Sequence, residues 1–165
     1  MTSLLSSAKA RRTAAALGAV SAGLLVLSAC EKPSPMATLT VGDKSVSSEA
    51  SCYAHSKTLA DGKIQDCLQK GGKKTLTVGM DDKVRFGVDP EVADNGWVLF
   101  VNGKPIEGEA YKKTYRSIPG SVFFSSGQDA MGGQTAPLDK AKVAILELKD
   151  KSVKGVWQFE FKKGK

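Results

Sequence analysis

Histidine is nearly missing from this chain of 165 residues: His55 is the only one, and cysteine is limited to Cys30, Cys52 and Cys67. One imidazole leaves a serine or cysteine nucleophile a single place to find its usual base, and no Gly-x-Ser-x-Gly turn lies near Tyr53-Ala54-His55-Ser56-Lys57. A mononuclear copper site lacks its second histidine, and Met36, Met80 and Met131 are scattered. Cys52, His55 and Cys67 have ligand-like spacing, but beyond Cys30 no further His or Cys exists to complete the four ligands of a closed zinc site. No metal or cofactor is therefore expected. Long apolar runs are equally scarce, the one example being residues 13–29.

That run follows Lys9, Arg11 and Arg12, has no acidic residue before Glu31, and ends in Leu27-Ser28-Ala29-Cys30. A positive start, an apolar core and this box resemble a bacterial lipoprotein signal, in which the Cys thiol is joined to diacylglycerol and the peptide is cut before it. Each buried acyl methylene contributes about 0.8 kcal/mol, and one chain holds only reversibly, so two chains on Cys30 would anchor stably. The alternatives are a soluble secreted form cut nearby and an uncleaved spanning helix. The latter needs roughly 17–25 apolar residues, and this run is at that limit and carries Gly18 and Gly23. Arg11-Arg12 permits a twin-arginine route, although Thr13-Ala14-Ala15 follows where bulky apolar residues are favoured.

The expected organisation is a signal peptide over residues 1–29, a lipidated Cys and tether over 30–36, and a single domain over 37–165. With three basic residues lost in the signal, 21 basic side chains face 17 acidic ones, so much of the +7 formal charge is an export feature. A mild surplus favours anionic lipid or acidic wall polymer only weakly, and nucleic acid is not an expected partner outside the cell. The tether, with Pro33 and Pro35, reaches no more than about 25 Å. Cys52 and Cys67 remain as an even pair in an oxidising compartment and are expected to form a disulfide.

Period-two alternation predicts strands at 37–41, 46–52, 75–78, 83–88 and 97–101, the last continuing through Asn102-Gly103 into Pro105-Ile106 as a hairpin. Thr58 and Asp61 read as a helix start, Ile64, Cys67 and Leu68 as its apolar stripe and Gly71-Gly72 as its stop, which turns Cys67 toward the strand of Cys52. A strand within 111–124 is broken at Pro119-Gly120, residues 125–137 read as a loop, and 142–148 with 156–161 form a closing hairpin. In 142–148 the alternation slips between Ile145 and Leu146. Many short strands with one short helix and a Trp in a central strand predict a mainly β, antiparallel, immunoglobulin-like β-sandwich, with a barrel as the alternative.

Chemistry is sparse. Gly71-Gly72-Lys73-Lys74-Thr75 lacks the leading Gly and the final Ser or Thr of a phosphate loop and precedes a strand. Asp89, Glu91 and Asp94 offer carboxylates for calcium or glycosidase work, without the spacing of a calcium loop, and read as an ordinary polar loop. Trp97, Trp157, Phe100, Phe123 and Phe124 fit a core better than a ligand platform. The binding candidates are Trp97, Tyr111, Tyr115 and Arg116, with Lys112 and Lys113 beside them, because rings and charge coincide in one short stretch.

Leu27 to Cys30, the run Lys83-Val-Arg-Phe-Gly-Val-Asp-Pro-Glu-Val-Ala-Asp-Asn-Gly-Trp97, Tyr111-Lys-Lys-Thr-Tyr-Arg-Ser-Ile-Pro-Gly120 and Gly155-Val-Trp-Gln-Phe-Glu-Phe161 together resemble a family of small actinobacterial lipoproteins defined by a domain of unknown function. The resemblance runs over nearly the whole chain. It implies display at the outer face of the cytoplasmic membrane and carries no functional residues with it. The expected protein is a non-enzymatic binding or accessory module, held by membrane lipid through diacylglyceryl Cys30 and meeting an envelope protein or glycan. A carboxylate-dependent envelope hydrolase and a small-ligand-binding lipoprotein are the alternatives.

Overall fold

The computed structural model describes residues 32–72, 74–125 and 138–164. The signal peptide, Cys30 and nearly all of the 125–137 loop lie outside the described residues. In chain order the elements are β1 (Met36–Val41), β2 (Lys44–Glu49), β3 (Cys52–Tyr53), α1 (Asp61–Lys70), β4 (Lys74–Val78), β5 (Lys83–Val88), α2 (Pro90–Asn95), β6 (Trp97–Val101), β7 (Lys104–Pro105), β8 (Tyr115–Pro119), α3 (Ser121–Phe124), β9 (Lys140–Lys149) and β10 (Ser152–Lys163). The chain is mainly β, as expected, but among the described residues three short helices stand where one was predicted.

Four strands form one antiparallel sheet in the order β2-β1-β5-β8. The other sheet runs β3-β10-β9-β6-β7, with β4 on the same edge of β10 as β3. Here the all-antiparallel expectation fails, because β4 pairs with residues 159–163 of β10 in parallel. The reason is α1: β3 runs antiparallel to β10, and the helix then reverses the chain, so the next stretch runs with β10. A parallel pair cannot come from a hairpin, and here β5 to β9 lie between β4 and β10 in the chain.

Alternation built the inner faces. Ala37, Leu39 and Val41 of β1 and Val84, Phe86 and Val88 of β5 are buried in one cluster with Val143 and Ile145 of β9 and Trp157, Phe159 and Phe161 of β10. Phe86 in one sheet, Phe161 in the other and Phe123 of α3 bring their rings within 4.9 to 6.4 Å of one another. The two sheets therefore face each other across a shared core. The second sheet is buried on its outer face too, where Ala144, Leu146 and Val156 pack with Leu59, Leu68, Val98 and Phe100. The slip read in β9 is thus no slip: a strand covered on both faces loses its alternation.

α1 is the cover. Its stripe of Ile64, Cys67 and Leu68 is the part withdrawn from solvent, and Cys67 is bonded to Cys52 with 6.3 Å between their Cα atoms. The expected Thr58 cap is absent: Ala60 holds the N-cap position and makes no side-chain bond there. The helix end conforms to expectation, with Gly71 at φ 69°. The 46–52 strand divides, because β2 ends at Glu49 in one sheet and Cys52 begins β3 in the other. Asn102 and Gly103 take φ values of 50° and 81°, the positive pair that a tight hairpin between β6 and β7 requires.

β10 carries a bulge. Val153 pairs with Leu148 and Gly155 with Glu147, leaving Lys154 inserted between them. At Gly155 a Cβ would lie 2.7 Å from Tyr53 and 2.8 Å from the Trp157 ring. A Gly155→Ala variant is therefore expected to lose about 1–3 kcal/mol, the usual range for overpacking, read as a lowered urea midpoint at unchanged slope.

Candidate functional site

The structure gathers most of the predicted binding residues. Tyr111 pairs with Trp97 through reciprocal backbone bonds of 2.7 and 3.0 Å, which carries the chain from β6 across to β8. Its ring stands edge-on to Trp97 at 5.4 Å, and its hydroxyl donates to the Tyr115 carbonyl at 3.1 Å. The Arg116 guanidinium lies 5.1 Å from the Tyr111 ring centroid and pairs with Glu107. Arg116 is thereby fixed in direction, and Tyr115 beside it is 52% exposed. Such a set, a rigid ring and a stacked guanidinium next to a free ring, suits recognition of a surface.

Trp97 is the exception. It is wholly buried, and its indole N–H is spent on the Lys113 carbonyl at 3.0 Å. The physical reason is its strand, Trp-Val-Leu-Phe-Val, which sits between β9 and β7 in a sheet covered on both faces. Trp97 supports Tyr111 from within the core.

The acidic trio does not converge. Residues 90–95 form α2 where a loop was expected, with Pro90 at its first turn and Gly96 at its end. Asp89 accepts from the Met36 amide at 2.8 Å, Asp94 points to solvent, and Glu91 turns toward Lys154. Among the described residues no group of three or more His, Cys, Asp or Glu side chains is arranged to hold a metal ion.

Glu91 belongs instead to a cluster that the sequence did not reveal. The bulge aims Lys154 inward, where its Nζ lies 2.7 Å from Glu91 Oε1 and 3.6 Å from Glu147 Oε1. Glu147 shares the inner face of β9 with Val143 and Ile145 and is fully buried. Asn95 of α2 donates to its Oε1 at 2.5 Å, while Oε2 has no partner. Tyr53 donates to Glu91 at 3.3 Å and places its ring 5.1 Å from Lys154 Nζ. Burial pushes the Glu147 carboxyl above its ordinary range, and the bond from Asn95 and the charge of Lys154 only partly oppose this. Burial pulls Lys154 downward, but its bonds to Glu91 and Tyr53 and the attraction of Glu147 outweigh that and leave it raised. Burial also raises Tyr53. The signal in the sequence was weak: a Glu in phase with Ala141, Val143 and Ile145 on an apolar strand.

The same end of the domain receives the tether. Trp157 donates to the Pro35 carbonyl at 2.9 Å, the Ala50 amide donates to Ser34 Oγ at 3.0 Å, and Asp89 and Met36 exchange backbone and side-chain bonds. The fold thus begins at Ser34, earlier than residue 37.

Elsewhere, a cavity of about 230 Å³ opens beside the end of α1, lined by Leu68, Phe100, Asn102, Lys142, Ala144 and Gln158 among others. Gln158 is 6% exposed and its Oε1 has no partner. Among the described residues no helix is long and apolar enough to cross a membrane. No protein-family model, no curated protein and no solved structure matches this chain.

Proposed function

We propose that this chain is a lipid-anchored extracytoplasmic protein of the actinobacterial lipoprotein type, whose immunoglobulin-like β-sandwich binds an envelope component without performing chemistry on it. The observation that carries this reading is the patch formed by Tyr115 and Arg116 of β8, an edge strand of the four-stranded sheet, with Tyr111 packed beside them. Exposed tyrosine beside a stacked arginine is the composition of interface hot spots. Two facing sheets around one core, with two buried tryptophans, support the sandwich. The Leu27-Ser28-Ala29-Cys30 box supports the anchor. Ser34 and Pro35 are docked on the domain and Cys30 precedes Ser34 by only four residues, a reach of at most about 14 Å, so a lipid on Cys30 would hold the domain close to the bilayer. The partner is then an envelope protein or glycan at the membrane surface.

A photo-crosslinking side chain placed at Tyr115 in intact envelopes is expected to capture one discrete partner, and the same group at exposed Ser45 on β2 is not. Tyr115→Ala should weaken that partner's binding about tenfold, in the range of 1–2 kcal/mol for a hot spot. Equal capture from both positions, or none from Tyr115, would count against the patch. A second reading, a small-ligand lipoprotein, is favoured by the cavity at Gln158, whose unpartnered acceptor would suit a compact apolar ligand carrying one N–H or O–H donor.

A further inference from the structure

We propose that Lys154 and Asn95 become joined by an intramolecular amide bond, Lys154 Nζ replacing the amide nitrogen on Asn95 Cγ, with Glu91 as base and Glu147 as acid. The four groups come from three elements that the fold holds rigidly together. Lys154 is the inserted residue of the β10 bulge, Glu147 stands opposite on β9, and Glu91 and Asn95 are one turn apart on the same face of α2. Nucleophile and leaving group converge on a single atom: Lys154 Nζ and Asn95 Nδ2 lie 3.6 and 2.5 Å from Glu147 Oε1. Lys154 has four rotatable bonds with which to cover the remaining distance.

The surroundings divide the two carboxyls into different roles. Glu147 is fully buried, has an oxygen without a partner, and is favoured in its neutral form by burial. Glu91 has 41% of its side chain exposed and sits 2.7 Å from Nζ, where a proton can be taken and passed to water. Paired carboxyls in contrasting environments are the usual basis of acid and base assignment. Glu147 Oε1 accepts from Asn95 Nδ2, the nitrogen that must gain a proton to leave, so the carboxyl that is to supply it already lies against the leaving group. A structural ion pair alone leaves both the buried acid and its orphan oxygen without a purpose.

The step balances. Glu91, 2.7 Å away, takes one proton from the Lys154 ammonium against the pairing that favours the charged form, and the free amine forms a bond to Asn95 Cγ. The Cγ–Nδ2 bond breaks, and Nδ2 leaves as ammonia with the proton of Glu147. A second Nζ proton returns to Glu147, and Glu91 releases its own to solvent. No oxidant, reductant or co-reactant is needed.

The test is a peptide map of the full chain isolated from envelopes, reduced and digested with trypsin. The expected product is a branched species in which residues 86–112 are joined to residues 152–162, lighter than the two peptides together by one ammonia and uncut after Lys154. Lys154→Arg and Glu147→Gln should each abolish it. Free 86–112 in full yield, with cleavage after Lys154, would overturn the proposal from the unaltered protein alone, whatever the variants do. A branched species surviving in Glu147→Gln would overturn the role given to that carboxyl.

Discussion

Trp157→Ala is expected to lower stability by about 3–5 kcal/mol, the range for truncating a large buried aromatic. Trp157 is fully buried, its ring stands 6.0 Å from Tyr53, and Gly155 is a glycine so that both rings fit. The loss has a second component, because the indole N–H is the partner of the Pro35 carbonyl. Trp157→Phe separates the two: it keeps most of the packing and strands that carbonyl, at about 1–3 kcal/mol for an unsatisfied buried acceptor. Urea midpoints measure both losses. Hydrogen exchange at Met36, whose amide is held by Asp89, should rise in both variants if the indole is what seats the tether. Unchanged protection in the phenylalanine variant would show that Asp89 alone holds this segment.

Removing the disulfide by Cys52→Ala with Cys67→Ala is expected to cost roughly 3 kcal/mol, the chain-entropy value for a loop of about 15 residues. The effect should be local as well as global. α1 has no side-chain N-cap, and its apolar stripe is short, so the bond to β3 is the main tie of the helix to the sheet. Without it the outer cluster of Ala144, Leu146 and Val156 loses part of its cover. Amide exchange over residues 61–70 should therefore accelerate more than that of β1 and β5. A uniform change across all strands would mean that helix and sheet unfold as one unit even without the bridge.

Much of this fold could be read from the sequence because burial there is one-sided. β1 and β5 alternate cleanly, since one face meets the core and the other does not. The Asn102-Gly103 turn announced itself through residues that tolerate positive φ. The second sheet was harder, because α1 covers its outer face and hides the alternation of β9 behind an unbroken apolar run. That same double burial decides Trp97, a candidate for both core and binding, as a core ring. Residues 90–95 read as a loop because their polar side chains outweigh the helix markers present, Pro90 at the first turn and Gly96 at the end.

The candidate site divides in the same way. Tyr111, Tyr115 and Arg116 are close in sequence, so their grouping needed only a local turn and was visible. Glu147, Lys154, Glu91, Asn95 and Tyr53 come from four separate elements. Their meeting depends on strand pairing and on a bulge, and neither leaves a mark in a single sequence. Asp89, Glu91 and Asp94, neighbours in the chain, part company because a short helix turns them in different directions.

The most direct test of the proposed anchor is the mass of the mature N-terminal peptide from native envelopes. The expected species begins at Cys30 and carries a thioether-linked diacylglycerol on that sulfur. A terminus at any other residue, or an unmodified Cys30 thiol, would contradict the lipid anchor and with it the placement of the domain at the membrane surface.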